Sequence, residues 1–316
     1  MPTVSVMGPT VSFRPVDVNA SSEYHGRPMK FTKMHGAGND YVYVDAFREK
    51  VADPAAVSIA LSDRHTGVGS DGLILIAPSR KADFRMIMFN ADGSEGSMCG
   101  NGIRCIGKYV FDHGLTKKKA ITVETKSGTV SLDLQVKAGK VALVTVDMGP
   151  ARPVPKEFHV RADGVRTVLD ETCEGFRGYV ASMGNPHFVI PVDSTETAPV
   201  TTKGPMIEKH PDFPSKVNVE FVQILSKTHV KQRTWERGSG ETFACGSGAC
   251  AVGYTLSQRG LTERSVRIDL LGGTLQIEVG AEGRVFMTGP AVEVFSGDYP
   301  AAKASAGKPT KPARRR

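Results

Sequence analysis

The sequence predicts an α+β fold built from two like halves, and three observations carry that prediction. Short motifs recur in one order at one offset: Ser97-Met98-Cys99-Gly100-Asn101-Gly102 is echoed by Phe243-Ala244-Cys245-Gly246-Ser247-Gly248, the cysteines 146 positions apart. Gly36-Ala37-Gly38-Asn39-Asp40 and Ser182-Met183-Gly184-Asn185-Pro186 repeat at the same offset, as do Gly114 and Gly260, and Lys126-Ser127-Gly128 precedes Leu271-Gly272-Gly273 at one residue less. Each half also holds several β-type runs and a single principal helical pattern. Self-similarity at a fixed offset is the signature of a duplicated unit. The halves fall at about residues 29–146 and 147–300, and two like units imply a cleft between them.

The elements follow from local periodicity. Tyr41-Val42-Tyr43-Val44, Leu73-Ile74-Leu75-Ile76 and Arg85-Met86-Ile87-Met88-Phe89 are β-type runs separated by Gly and Asn, which predicts strands joined by tight turns. After the first Cys-Gly-x-Gly, Ile103, Ile106 and Val110 recur at helical spacing before His113-Gly114; after the second, Ala249, Val252, Gly253 and Leu256 do so before Arg259-Gly260. The closing glycines suit a left-handed helix cap. Alternating strands come next, Val130–Val136 and Leu275–Val279. Each cysteine therefore stands at the N-terminus of its half's helix.

Composition narrows the function classes. The chain has 316 residues, 40% hydrophobic and 23% charged, an ordinary globular balance. Its net charge of +7 suggests nucleic acid until it is localised. Lys303, Lys308, Lys311, Arg314, Arg315 and Arg316 account for six of those charges, so the basicity belongs to a tail at 301–316, expected to be disordered and solubilising, with weak polyanion contact as its other use. Residues 1–28 form an N-terminal extension without strand or helix periodicity. No apolar run reaches the roughly 18 residues a membrane span needs, and no secretory signal core is visible, which makes a cytoplasmic address the expectation.

The cysteines carry the chemistry. Five of them, with no C-x₂-C pair or nearby H-x₃₋₅-H, argue against a disulfide framework and a structural zinc site. Cys105 and Cys250 fall within the helical patterns and are assigned to packing; Cys173 has no supporting context. Cys99 and Cys245 head helices, where unpaired N–H groups and the helix dipole favour an anion, which predicts thiols that ionise near neutral pH. Gly100, Gly102, Gly246 and Gly248 free the backbone to approach a carboxylate. A substrate between two such sites meets a thiol on each face, a geometry suited to inversion at a carbon that bears a carboxylate: one thiolate removes the α-proton and the opposing thiol returns one. Walker A, HExxH and strand-helix GxGxxG signatures are absent from the sequence, so neither a cofactor nor a metal is expected.

These residues resemble the diaminopimelate epimerase family. The resemblance runs through Lys33-Met34-His35-Gly36-Ala37-Gly38-Asn39-Asp40, Asn90-Ala91-Asp92-Gly93-Ser94-Glu95, Met98–Gly102, Gly184-Asn185-Pro186-His187, Asn218-Val219-Glu220-Phe221, Glu236–Thr242 and Ala244–Gly248, about residues 30–299. It implies two pseudo-symmetric domains, each a β-barrel-like sheet around a central helix. The last strand, near 290–300, would return to the first domain, leaving 147–289 as the second. It implies pyridoxal-independent interconversion of LL- and meso-diaminopimelate on the route to lysine and peptidoglycan precursors, with Cys99 and Cys245 as the acid–base pair. The backbone of Gly100, Asn101, Gly246 and Ser247 would bind the reacting carboxylate. Asn39, Asn90, Asn185, Asn218, Glu236 and Arg237 would hold the amino groups and the distal carboxylate, with His187 and Glu236 tuning the thiols. A homodimer is the family's assembly. One position departs: some members carry glutamine where this chain has Gly72.

Two other functions compete. A proline or hydroxyproline racemase of the same fold resembles Cys-Gly-His and Cys-Gly-Thr at the two turns, where this chain has Asn101 and Ser247. A non-catalytic binding protein or thiol redox sensor would use the same cysteines without proton transfer. Taken singly, an Asn beside Gly is a turn former, and Glu95 and Glu241 are structural, bonding backbone near the helix starts.

Overall fold

The computed structural model describes residues 27–300. The expectations for residues 1–26 and for the basic tail lie outside the described residues. The first half contributes β1 (Met29–Gly36), β2 (Asn39–Asp45), α1 (Pro54–Ser62), β3 (Gly72–Ala77), β4 (Phe84–Asn90), β5 (Glu95–Gly96), α2 (Gly100–Asp112), β6 (Ala120–Thr125), β7 (Gly128–Lys137) and β8 (Lys140–Pro150). The second contributes β9 (Val168–Cys173), β10 (Phe176–Ser182), β11 (Pro186–Pro191), α3 (Val200–Glu208), β12 (Asn218–Ser226), β13 (His229–Glu236), β14 (Gly240–Thr242), α4 (Gly246–Gln258), β15 (Ser265–Leu270), β16 (Gly273–Val279) and β17 (Arg284–Gly289). The chain then closes with β18 (Val292–Tyr299).

The duplication is topological as well as local. In the first half β1 pairs with β2, β2 runs parallel to β3, β3 pairs with β4, and β4 runs parallel to β6, which leads on to β7 and β8. In the second half β10, β11, β12, β13, β15, β16 and β17 repeat that series, parallel steps included. β18 lies antiparallel on β1 as β9 lies on β10, and β8 pairs with β17, joining the two sheets. The last strand of the chain thus belongs to the first half's sheet.

Each sheet curls around its helix. α2 buries Ile103, Ile106 and Val110, and α4 buries Ala249, Val252 and Leu256, all at 0% exposure, in one core shared by both halves. Each of the Ile, Val and Leu side chains contributes about 2 kcal/mol on leaving water, and Ala249 less than half of that. Gly107 and Gly253, equivalent positions, let the sheet come close: a Cβ there would fall 2.8 Å from Leu134 Cδ2 and 2.6 Å from Ile277 Cγ2. The closing glycines take positive φ, 76° at Gly114 and 64° at Gly260, as the left-handed cap requires. The sequence reading found one helix per half. The structure adds α1 and α3, nine residues each and again 146 positions apart, which cover the outer faces of their sheets. Their weak amphipathic patterns, and a proline inside α3, hid them.

Candidate active site

Both α2 and α4 start from a cysteine. Cys99 is the N-cap of α2 with extended backbone, and its Sγ accepts the Gly102 N–H at 3.3 Å. Cys245 caps α4 the same way, accepting from Gly248 N–H at 3.4 Å. Helices are normally capped by Ser, Thr, Asp or Asn, whose oxygens are better acceptors than sulfur. Both helices therefore forgo capping strength to keep a thiol there.

The two starts converge. The second residue after Cys99 bonds to the residue before Cys245, Asn101 Nδ2 donating to Ala244 O at 3.0 Å. Met287 wedges between the helix ends: a Cβ on Gly100 would lie 3.0 Å from its Cε, and one on Gly246 3.2 Å from its Sδ. Gly38 packs on Phe243, and Gly272 against the carbonyl of Ala37, so the first half's glycine turn is seated on the second half.

Around Cys99, β2 supplies Asn39, whose Oδ1 accepts from the thiol at 3.2 Å. Its Nδ2 donates to Asp71 Oδ2 at 2.7 Å, which fixes the amide with its oxygen toward sulfur. Asp71 is in turn held by Arg64 Nη2 at 2.9 Å, and Arg64 also pairs with Asp40. Asn90, at the end of β4, donates to Ser94 Oγ at 2.9 Å. Asn39 and Asn185 are not the turn formers their Gly-Asn pairs suggested, since positive φ falls on Ala37, Gly38 and Gly184 instead.

Around Cys245 the equivalent asparagine is turned over. Asn185 Oδ1 bonds His187 Nε2 at 3.0 Å, so its Nδ2 points at Ser247 Oγ, 3.3 Å away, and Ser247 Oγ lies 3.6 Å from Cys245 Sγ. His187 Nδ1 meets Glu220 Oε1 at 2.8 Å, and both side chains are sealed at 0% exposure. Asn218 ties down the next turn, donating to Pro186 O and accepting the backbone N–H of Arg237. Glu236 accepts from Thr242 Oγ1 at 2.6 Å. Arg237 is exposed, its Nη1 on Ser215 O at 2.9 Å, so its guanidinium is anchored to a loop rather than held against the thiols.

The electrostatics correct one expectation. Both thiols are shifted away from ionisation rather than toward it. Burial drives the Cys99 thiol up, and Glu236 adds to it, against the backbone N–H groups of Gly102 and Asn101 and the charge of Arg104. Cys245 is pushed well above its ordinary 9.0, first by burial, then by Glu236 and Glu220. The helix terminus acts in the expected direction, but removal from water outweighs it. Glu236 itself is raised by burial. Because it bears on both sulfurs, one carboxylate of the second half couples the two thiols.

Other expectations shift too. Glu95 and Glu241 bond side chains, Lys126 Nζ at 3.0 Å and Arg233 Nε at 2.7 Å, not backbone. At Gly72 a Cβ would lie 2.1 Å from Phe89 O, so this turn has no room for a side chain. Cys105, Cys173 and Cys250 are buried. Sequence reasoning missed Glu220 and Arg104. Glu220 shares a strand face with Asn218 two residues away, a signal the alternation of β12 carried. Arg104 is sealed at 0% exposure, donating to Gly100 O and Pro290 O, both at 3.2 Å; a lone arginine among apolar helix positions marked it. His159, Glu171 and Asp212 bring ligand-type atoms within 4.8 Å of one another, but Arg161 pairs with Glu171 and lies 3.8 Å from Asp212, so these carboxylates already face a cation. No helix among the described residues is long and apolar enough to cross a membrane.

Comparison with known proteins gives a consistent picture. A family model described as diaminopimelate epimerase matches residues 31–154 and 179–294. A diaminopimelate epimerase of Acetivibrio thermocellus is 51% identical over 274 residues, covering 85% of this chain and 98% of that protein. One from Leptospira biflexa is 52% identical over 275 residues, with the same coverage of 85% and 98%. Among solved structures, a hydroxyproline epimerase from Agrobacterium vitis with bound trans-4-hydroxy-L-proline superposes with a TM-score of 0.61 at 18% identity, over 87% of this chain and 93% of that one. A phenazine biosynthesis protein of the PhzF family from Bacillus anthracis reaches 0.64 at 16% identity, over 86% and 99%. At those identities the likeness is one of fold.

Proposed function

This chain belongs to the diaminopimelate epimerase family, and from that premise we propose that it interconverts LL- and meso-diaminopimelate by passing protons between two thiols, Cys99 and Cys245. The observation that carries the reading is the Asn101–Ala244 hydrogen bond, which ties the two cysteine-headed helix starts together at 3.0 Å. The reacting carboxylate is bound by the N–H groups of Gly100, Asn101, Gly246 and Ser247, where two helix dipoles add. The negative charge that develops on that carboxylate as the α-proton leaves is met by the same donors, worth several kcal/mol in a site shielded from water.

Burial gives the thiols their role. A sulfur whose pKa is held up is a stronger base once it has lost its proton, which suits abstraction from a weakly acidic α-carbon. The substrate supplies the trigger: its α-ammonium, paired with Glu236, cancels the charge that raises both thiols. Asn39, Asn90, Asn185, Asn218 and Arg237 take the remaining amino group and the distal carboxylate, for which a planar guanidinium is suited. His187, locked to Glu220, sets the orientation of Asn185 and through Ser247 that of Cys245. The product feeds lysine and peptidoglycan precursor synthesis. A cytoplasmic address and a homodimer complete the proposal.

The test is α-hydrogen exchange. Incubation with LL-diaminopimelate in deuterated water under reducing conditions is expected to wash deuterium into the α-position and yield the meso isomer. Cys99→Ser and Cys245→Ser keep a helix cap but lose the acid–base group, and each is expected to lower epimerisation by about 10³-fold. Full epimerisation by either variant would end the two-thiol reading.

A further inference from the structure

We propose that Asp71 is a positioning residue: it locks the Asn39 amide with its oxygen on Cys99, so that Asn39 can bond the thiol but not the thiolate, and Cys99 remains a strong base. An amide offers an acceptor at one end and donors at the other, whereas a carboxylate only accepts. Asp71 meets donors on both oxygens, Asn39 Nδ2 at 2.7 Å and the Asp40 N–H at 3.2 Å on Oδ2, and Arg64 Nη2 at 2.9 Å on Oδ1. Its own N–H donates to Asp40 O at 2.7 Å, so two bonds fasten Asp71 to the backbone of the residue after Asn39. With Nδ2 spent there, the atom left for the sulfur is Oδ1, which accepts from Cys99 at 3.2 Å. A partner that bonds only the neutral form of a group favours that form. Once the proton has gone, turning Nδ2 to the thiolate would break the bond to Asp71.

The second repeat lacks the lock. The position equivalent to Asp71, 146 residues on, is Val217, sealed at 0% exposure. Asn185 takes its orientation from His187 instead, and its Nδ2 points to Ser247 beside Cys245. A carboxylate on the first half's amide alone therefore has a use that duplication does not account for. The charged and titratable groups around the pair are Arg104 on α2, Glu236 on β13 and Tyr41 on β2, with Asp40 and Arg64 on Asp71 itself. Substituting Asp71 leaves all of them in place. The Asp71 side chain is 40% exposed, so its replacement leaves the apolar core untouched.

The proposal rests on Cys99 being a proton carrier, and the experiment separates the two. In full-length Asp71→Ala, iodoacetamide alkylation of Cys99, followed peptide by peptide against pH, is expected to show its midpoint lowered by about one pH unit, a tenfold gain of thiolate at a given pH. Asp71→Asn removes the charge but keeps an acceptor for Nδ2, and is expected to stay near the wild-type midpoint. The Cys245 midpoint should hold in both. In Asp71→Ala the acid limb of the kcat/KM profile is expected to move down with Cys99, and the plateau above it to fall about threefold, as a weaker base dictates. Simple loosening of the site would lower the profile without moving its limb. Asp71→Val, matching Val217, repeats the measurement if the alanine variant does not fold. An unmoved Cys99 midpoint in a folded variant without the acceptor, an equal fall in Asp71→Asn, or an equal fall at Cys245 overturns the proposal. Failure of the wild type to exchange α-hydrogen sinks the epimerase reading instead, while the alkylation shift still reports on Asp71.

Discussion

Adding one methyl group at each of two equivalent glycines separates the roles of the two repeats. Gly102 and Gly248 both donate their N–H to the capping sulfur, and Ala keeps that donor. At Gly102 the new Cβ would meet Ile74 Cδ1 at 2.7 Å and Met86 Cε at 3.3 Å, the tips of flexible side chains. Their displacement costs about 1 kcal/mol, which the helix preference for Ala over Gly returns. At Gly248 the Cβ would lie 2.7 Å from Glu220 Oε1 and 3.2 Å from Cys245 Sγ. The carboxylate must retreat by roughly half an ångström, loosening its sealed bond to His187; a buried polar group left without its partner costs about 1–3 kcal/mol. The movement passes through Asn185 and Ser247 to the reacting sulfur, where misplacement on the order of 1 Å costs about 10²-fold in rate. Gly248→Ala is therefore expected to lose about 2 kcal/mol of stability and about a hundredfold in kcat/KM, and Gly102→Ala to stay near wild type in both. Urea denaturation and deuterium exchange by NMR measure the two quantities. Equal losses in the two variants would refute the argument that the Glu220–His187 pair controls Cys245.

Two further substitutions test the electrostatics. Glu236→Gln removes a charge that raises both thiols, so alkylation midpoints should fall, more at Cys245, where Glu236 ranks second only to burial, than at Cys99. Because burial lifts the Glu236 carboxyl above its ordinary 4.5, its contribution to stability is present in full below that value and is lost as pH rises through the folded-state value. The difference in thermal midpoint between wild type and Glu236→Gln should follow that course, and a flat difference would count against a buried, raised carboxyl. Arg104→Met leaves Pro290 O without its side-chain donor, while Gly100 O loses a second donor but keeps the helical N–H of residue 104; the unpaired carbonyl costs about 1–3 kcal/mol and relief from burying a charge offsets part of it, for a net loss of about 1 kcal/mol by urea titration. The same variant should raise the Cys99 midpoint, since the guanidinium lowers it. Wild-type stability or an unmoved midpoint would show that Arg104 is not coupled to the site.

The amino-acid order alone determined the duplicated plan, because its evidence is local: a Cys-Gly-x-Gly turn, helical spacing behind it and a closing glycine are written in consecutive residues, and their repetition makes them legible. It marked Cys99 and Cys245 by the same means and set Asn39 and Asn185 at the same offset, whereas His187 and Glu236 were marked only by the resemblance to a family. It could not show α1 and α3, nine residues each with few buried apolar positions to mark a face, Leu61 in one and Val200 and Ile207 in the other. Nor could it show the state of the thiols. A helix start favours the anion within one turn, and that much is local, but burial depends on what the fold packs around the sulfur, and the Glu236 charge that also raises the Cys99 thiol comes from more than a hundred residues away. Tertiary structure also decided that the two equivalent asparagines face their thiols differently. Asp71 turns the oxygen of Asn39 to Cys99, whereas the Glu220–His187 pair turns the nitrogen of Asn185 toward Ser247. Two copies of one motif became two chemically distinct half-sites because hydrogen-bond partners are assigned in space, by strands that no periodicity links.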